Sequence, residues 1–180
     1  MELSPRGHEQ AAHLSSYFQK RPVQAIYASP MKRVQQTLAP LGKICSVQPV
    51  ILDGLREVDF GDWTGLSWDE VATRFQVSAF EWLSQLDGAA IPNAECPKAW
   101  RGRVEACWNQ ILKTHAGQEQ DLAVICHGGV VRMLLSILLD LPLVKMAAFD
   151  VEYASVTCVA HHARKTEVKL LNFVPWRDRL

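Results

Sequence analysis

The segment AVICHGGVVRMLL, residues 123–135, constrains the fold of this chain more than any other stretch. An apolar run ends at His127, passes through two glycines and continues as a helical segment that is apolar on nearly every side. This pattern predicts a buried strand that leads directly into a buried helix. Ligands of open α/β sheets bind beyond the carboxyl ends of the strands, where a helix N-terminus offers N–H groups to an anion. The segment indicates an anion site at His127 and Gly128, but a histidine and glycines that serve only the turn fit it equally well.

The remaining apolar runs alternate with helical periodicity, which predicts an α/β fold. Predicted strands cover residues 25–29, 47–52 and 122–126, and two further runs, 151–162 and 167–174, predict a C-terminal hairpin that closes the sheet. Helices are predicted to begin at Ser4-Pro5, at Ser29-Pro30, at the capping box Ser67–Glu70, and at about residue 98, the last of them ending near 115. We therefore expect a three-layer α/β/α fold with a mostly parallel sheet.

Length and charge narrow the class of protein. The 180 residues are most simply one domain, and 19 basic and 19 acidic side chains cancel. Without a net positive field, we expect a small-molecule partner rather than nucleic acid or a membrane surface. The longest apolar run near the C-terminal half, Met133–Leu139, is far shorter than the roughly 20 residues that span a bilayer. Five scattered cysteines without CxxC spacing argue against a disulfide framework or a zinc site and fit a reducing cytoplasm.

Arg33 follows a second strand-to-helix turn, in YASPMKRVQQT. One turn into its helix, it is expected to point back over the same sheet edge as His127. Its planar guanidinium matches phosphate oxygens with two parallel hydrogen bonds. A solvated surface arginine is the alternative, and the segment alone favours it.

Glu57 lies in LREVDFGDWTG, just after the predicted strand that ends near Leu52. A carboxyl walled by Phe60 and Trp63 would have a raised pKa and could serve as a general acid. Taken alone, the segment fits a salt-bridged surface glutamate better. Arginine, glutamate and histidine nevertheless all fall where successive strands end, which favours one shared site.

The stretches LSPRGHEQA, YASPMKRVQQT, LREVDFGDWTG and CHGG, in this order and spacing, resemble the histidine phosphatase (phosphoglycerate mutase-like) superfamily over almost the whole chain. FGDWTGLSWDEV further resembles the alpha-ribazole phosphatases of cobalamin nucleotide-loop assembly. The resemblance implies one domain, 1–180, with a helical cap at about 67–100, and no metal or cofactor. It implies that Arg33 and Gly128 bind phosphate, that Glu57 donates a proton, and that His127 stabilises the transferring phosphoryl group.

Two positions depart from the family pattern. Thr64 stands where a glutamate is usual, which should alter the rim of the pocket more than its chemistry. Residues 93–96 stand where a Gly-Gly-Glu-Ser-like loop is common, and only Glu95 matches. The resemblance implies that Glu95 contacts the leaving group of the substrate.

The family's phosphorylated histidine belongs to an Arg-His-Gly triplet at the end of its first strand, which this sequence lacks. Arg6-Gly7-His8 has the same letters in another order and lies in a predicted helix, where His8 is expected to be partly exposed. The family's first strand resembles a central one, lying between the strand that ends at His127 and the strand that contains Val156. We therefore expect a chain truncated at its start, with the first central strand missing and with little activity.

Several functions fit these expectations. The leading one is a metal-independent phosphomonoester hydrolase, with alpha-ribazole 5'-phosphate as the first candidate substrate. A phosphoglycerate mutase-like or broad-specificity sugar phosphatase is the nearest alternative. A non-catalytic module that binds a phosphorylated metabolite is the alternative from another class. The sequence does not indicate an oligomeric state.

Overall fold

A three-stranded parallel sheet forms the centre of the protein. The structure is a computed structural model and describes residues 1–44, 46–78, 81–162 and 165–178. The strands are β1 (Ala25–Ala28), β2 (Val50–Ile51) and β3 (Leu122–Ile125), in the order β2-β1-β3. Ala28 pairs with Ile51 on one side and with Ile125 on the other. The carboxyl ends of all three strands therefore meet at one edge.

Helices cover both faces of this sheet, because successive side chains of a strand point to opposite faces. On one face, Ile26 and Ala28 of β1 pack in a core with α1 (Pro5–Lys20) and α2 (Lys32–Leu41). On the other face, Tyr27 joins a larger core built on α5 (Pro97–Thr114) and α6 (Gly128–Leu139). The predicted three-layer α/β/α class is confirmed.

The predicted C-terminal hairpin is present as β4 (Val156–His162) and β5 (Lys165–Phe173), an antiparallel pair. Residues 163 and 164 of its predicted turn lie outside the described residues. The prediction that the hairpin closes the parallel sheet is wrong, because β4 and β5 form a sheet of their own. Within the described ranges, β3 pairs on one edge only, with β1.

Side chains, rather than strand pairing, attach the hairpin to the rest of the protein. The Phe173 ring of β5 lies 5.6 Å from the Tyr17 ring of α1, and the His161 ring of β4 lies 5.5 Å from the Trp108 ring of α5. A strand joins a sheet only where its backbone groups reach those of the edge strand. The hairpin instead packs against one helix from each outer layer.

Two short helices lie between β2 and α5: α3 (Trp68–Phe75) and α4 (Trp82–Asp87). The cap predicted for this region stays a prediction. The capping box is confirmed, since the Ser67 hydroxyl accepts from the Glu70 amide and the Glu70 carboxylate accepts from the Ser67 amide. Residues 79 and 80, between the two helices, lie outside the described residues. In the part of the chain that the structure does describe, no helix has both the length and the apolar character to cross a membrane.

The predicted helix starts are confirmed at α1 and α5 but not at α2. Ser4 caps α1, and α5 covers 97–114 against a prediction of about 98–115. The α2 helix begins at Lys32 instead of at Ser29-Pro30, with Met31 as N-cap. Ser29 remains extended because its amide donates to the Ile125 carbonyl and continues the β1–β3 ladder. Strand β2 is also shorter than the predicted 47–52.

Candidate active site

Arg33 and His127 are in direct contact at the carboxyl edge of the sheet. His127 follows β3 and is the N-cap residue of α6, while Arg33 lies in the first turn of α2. The Arg33 Nε–H donates to His127 Nδ1 at 3.1 Å. The other ring nitrogen, Nε2, lies 2.8 Å from the hydroxyl of Ser29, which follows β1. The ends of the neighbouring strands β1 and β3 thus bring these three side chains together.

The hydrogen bonds of His127 define its protonation. Nδ1 accepts from Arg33, so the ring proton is on Nε2 and is donated to the Ser29 hydroxyl. Both His127 and Ser29 are buried. Burial, reinforced by the positive charges of Arg33 and Arg103, lowers the pKa of His127 to about 3. The imidazole is therefore neutral across the physiological pH range.

The Glu57 carboxyl lies at the N-terminus of α6. Its Oε2 accepts from the Gly129 amide at 3.0 Å, and its Oε1 accepts from the Val58 amide at 3.1 Å. Burial raises the pKa of Glu57, and the two amide hydrogen bonds and the charge of Arg33 oppose that rise without cancelling it. A carboxyl group in this state is more readily protonated than an ordinary glutamate.

Four of the five predicted site residues are thus brought to one edge of the sheet: Arg33, Glu57, His127 and Gly128. Gly128 is the first residue of α6, and its carbonyl accepts from Arg132. Within the described part of the chain, neither terminal nitrogen of Arg33 has a hydrogen-bond partner. A guanidinium with free N–H groups beside a helix N-terminus can bind an anion, and a protonated Glu57 beside it can donate a proton.

Glu95, the fifth predicted residue, is paired with Arg103 of α5. The Arg103 Nε and one terminal nitrogen donate to its two carboxylate oxygens at 2.6 and 2.7 Å. Both residues line a cavity of about 330 Å³ next to Glu57, whose other lining residues are Arg56, Asp59, Asn93 and Ala94. The expected contact of Glu95 with a leaving group stays a prediction.

The aromatic residues after Glu57 pack against helices α3 and α4. The Phe60 ring lies 5.4 Å from the Trp82 ring, and the Trp63 ring lies 5.8 Å from the Phe75 ring. The Glu57 carboxyl lies against Gly129, and the wall of Phe60 and Trp63 around it stays a prediction. His8 is exposed in the first turn of α1, as expected for a helix residue that takes no part in the site.

Sequence reasoning missed two residues of this site, Ser29 and Arg103. Ser29 ends an apolar run and was interpreted as a helix cap, although a fully buried serine after a strand is also a signal for a polar partner. No local sequence pattern indicates a role for Arg103, because its partners are backbone carbonyls that lie far from it in the sequence. In the ranges that the structure describes, no cluster of three or more histidine, cysteine or carboxylate side chains is arranged to hold a metal ion.

The sequence model of the histidine phosphatase superfamily (branch 1) matches residues 1–174. The chain belongs to this superfamily. Its histidine phosphatase relatives include phosphoserine phosphatase 1 of Hydrogenobacter thermophilus, 25% identical over 171 residues, which cover 95% of this chain and 80% of that protein. The adenosylcobalamin/alpha-ribazole phosphatase of Salmonella typhimurium is 26% identical over 171 residues, with 94% of this chain and 83% of that protein covered.

Solved histidine phosphatase structures share the fold. The mycobacterial glucosyl-3-phosphoglycerate phosphatase in complex with inorganic phosphate superposes with a TM-score of 0.84, at 22% identity, over 98% of this chain and 90% of that one. The alpha-ribazole phosphatase of Shigella flexneri superposes with a TM-score of 0.79, at 22% identity, over 94% and 83% of the two chains. At this level of identity, the likeness establishes the common architecture of the histidine phosphatases.

Proposed function

We propose that the site binds the phosphoryl group of a small phosphomonoester and that the function of the protein is to hydrolyse that ester. The observation that carries the proposal is the contact between Arg33 and His127 beside the Glu57 carboxyl at the N-terminus of α6. Arg33 and the Gly128 amide at the start of α6 bind the phosphate oxygens. The alkoxide that leaves receives its proton from Glu57, whose burial favours the protonated form.

Neither His127 nor the neighbouring Cys126 is the group that attacks the phosphorus. His127 uses one ring nitrogen to accept from Arg33 and the other to contact Ser29, so no lone pair is directed at a bound phosphorus. Burial raises the pKa of the neighbouring Cys126 thiol to about 12, so it is not a thiolate nucleophile. We assign His127 to the stabilisation of the transferring phosphoryl group through Arg33, whose guanidinium it orients. Attack then requires the Arg-His-Gly histidine of the family, which is absent from this sequence, and the 180 residues alone hydrolyse esters poorly.

The engagement of both His127 nitrogens favours a second candidate, a module that binds a phosphorylated metabolite without converting it. Arg33 and the α6 N-terminus serve both functions equally. Codons upstream of Met1 separate them: an in-frame apolar strand that ends in Arg-His-Gly supports the hydrolase, and a stop codon directly upstream supports the module.

Alpha-ribazole 5'-phosphate is our first candidate substrate, supported by the FGDWTGLSWDEV stretch and by the Salmonella relative. Sugar phosphates and phosphoglycerate are the alternatives, and the relatives also include phosphoserine and glucosyl-3-phosphoglycerate phosphatases. The polar cavity beside Glu57, with Arg56, Asp59 and Asn93 in its lining, is the space for a hydrophilic leaving group.

The decisive experiment measures phosphate release from these five kinds of ester, together with binding of phosphate and vanadate. Two proteins are compared: the 180-residue chain, and the same chain preceded by an apolar strand that ends in Arg-His-Gly. We expect both to bind vanadate and only the extended chain to release phosphate. Binding without release by the extended chain would support the metabolite-binding module, and absence of binding by both would rule out both functions.

A further inference from the structure

Every N–H group of the Arg103 guanidinium donates a hydrogen bond, either to the segment that carries Glu57 or to Glu95. One terminal nitrogen donates to the carbonyls of Gly54 and Arg56, both at 2.7 Å, and the other donates to the carbonyl of Glu57 at 3.1 Å. The remaining two N–H groups bind the Glu95 carboxylate. Five donors and five hydrogen bonds fully satisfy the guanidinium.

Glu95 also ties its own loop to the Glu57 segment. The Glu95 amide donates to the Asp59 carbonyl at 2.9 Å, and the Asp59 amide donates to the Glu95 carboxylate at 3.3 Å. The two side chains of the ion pair are each only 19% exposed. The ion pair therefore joins helix α5, the loop before it and residues 54–59 into one unit.

Close packing at both ends of residues 54–61 limits their movement. A Cβ on Gly54 would lie 2.6 Å from Cys107 Sγ and 2.8 Å from the Arg103 carbonyl oxygen. A Cβ on Gly61 would lie 2.2 Å from the Pro92 carbonyl oxygen. Backbone contact without room for a side chain means that the Glu57 segment is fixed between α5 and the loop before α5.

We propose that Arg103, oriented by Glu95, is the positioning residue that holds the Glu57 carboxyl on the Gly129 amide. Arg103 donates a hydrogen bond to the backbone carbonyl of Glu57 itself. A shift of the guanidinium therefore moves the backbone from which the Glu57 carboxyl extends. The catalytic role of the positioned Glu57 carboxyl rests on the proposed function, but its positioning by Arg103 does not.

A lysine cannot replace this arginine. Its ammonium group has three donors on one nitrogen, whereas the five partners of Arg103 surround a planar fork. Arg103→Lys therefore keeps the positive charge and loses the geometry. Glu95→Gln keeps the shape of the partner and loses the charge that orients the fork. Arg101→Lys is the matched control, since Arg101 lies on the same helix and donates to Ser136, away from the Glu57 segment.

The test follows the Gly129 amide of the full chain by NMR across a pH titration. This amide donates to the Glu57 carboxyl, so its chemical shift reports both the hydrogen bond and the protonation of that carboxyl. In Arg103→Lys and Glu95→Gln, we expect the amide signal to move and its titration midpoint to fall by about one pH unit as the carboxyl gains solvent. Arg101→Lys should titrate like the parent.

Phosphate binding is measured on the same variants to separate the two proposals. Unchanged affinity with a shifted Gly129 midpoint supports positioning by Arg103, and failure of the parent to bind phosphate would reject the proposed function alone. A Gly129 midpoint and shift equal to those of the parent in both Arg103→Lys and Glu95→Gln would overturn the positioning role. In an extended, active chain, the expected result is a lower kcat.

Discussion

The Glu57 carboxylate occupies the space that a side chain at position 129 would need. A Cβ built on Gly129 would lie 2.4 Å from Glu57 Oε1, closer than real Cβ atoms approach other atoms. The glycine therefore does more than form the turn after His127. It lets the acid reach the first turn of α6, where its amide hydrogen bond is made.

Gly129→Ala should displace Glu57 and cost about 1 to 3 kcal/mol of stability, the usual range for overpacking a buried site. Gly128→Ala is the matched control, since a Cβ there would meet only the flexible end of Arg132 at 3.3 Å and Val151 at 3.9 Å. Urea unfolding of both variants tests this. Equal unfolding midpoints for the two would show that Glu57 does not depend on the absent side chain.

The pH dependence of stability should reveal the buried acid. Because the folded-state pKa of Glu57 is raised above its ordinary value of 4.5, the folded protein holds this proton more tightly than the unfolded chain. The free energy of unfolding of the parent should therefore fall, relative to that of Glu57→Gln, as pH rises from 4.5 through the folded-state pKa, by at most about 1.4 kcal/mol per pH unit.

His127 changes the free energy of unfolding in the opposite direction, at pH values between its ordinary pKa of 6.5 and its folded-state pKa of about 3. It lowers stability as the pH falls through that range, because the unfolded chain takes up the proton first. Glu57→Gln retains this contribution, so the difference between parent and variant isolates the carboxyl. Urea titrations at pH 4 to 8 would measure it, and a difference that is constant with pH would contradict the raised pKa.

Arg33→Ala should weaken phosphate and vanadate binding by about 10- to 100-fold, the equivalent of 1.5 to 3 kcal/mol for charge-assisted hydrogen bonds. Arg33→Lys should recover only part of this affinity, because lysine lacks the planar fork. Lys32→Ala removes the same charge from the neighbouring residue, whose side chain contacts Glu2 on the surface, and serves as the control. Isothermal titration with phosphate is the measurement, and equal losses in Lys32→Ala and Arg33→Ala would indicate only a general charge effect.

Two further glycines should respond to alanine with opposite signs. Gly61 has φ +52° and no room for a Cβ against the 92–94 backbone, so Gly61→Ala should destabilise the protein by at least about 1 kcal/mol. Gly102 is an exposed residue inside α5 with open space around it, and Gly102→Ala should stabilise by about 0.5 to 1 kcal/mol. Thermal unfolding would record both, and a stabilised Gly61→Ala would be incompatible with the observed turn.

The sequence allowed prediction of those parts of the fold whose cause is local. The capping box at Ser67 and the N-cap at Ser4 follow from side chains within one helical turn. Local reasoning failed at Ser29, where a Ser-Pro pair predicts a helix start but the amide is taken by the Ile125 carbonyl, 96 positions later in the chain. The separation of the hairpin from the parallel sheet is likewise set by tertiary contacts.

The candidate site also contains residues that could be predicted from local sequence and residues that are set by tertiary contacts. Arg33, Glu57, Gly128 and His127 could be predicted because each follows a strand end, and parallel strands end at a common edge. The aromatic wall of Phe60 and Trp63 around the Glu57 carboxyl stays a prediction, and those two rings contact Trp82 of α4 and Phe75 of α3. The partners that fix the acid, Gly129 and Arg103, come from two helices distant in the chain.

The hydrogen bond from Arg33 to His127 has a thermodynamic consequence. While Nδ1 accepts the hydrogen bond from Arg33, the ring cannot take up a second proton without breaking that contact. An incoming anion that draws the guanidinium away releases Nδ1 and makes the ring more basic. Ligand capture and proton uptake are therefore coupled, so the heat of binding should vary with the ionisation enthalpy of the buffer.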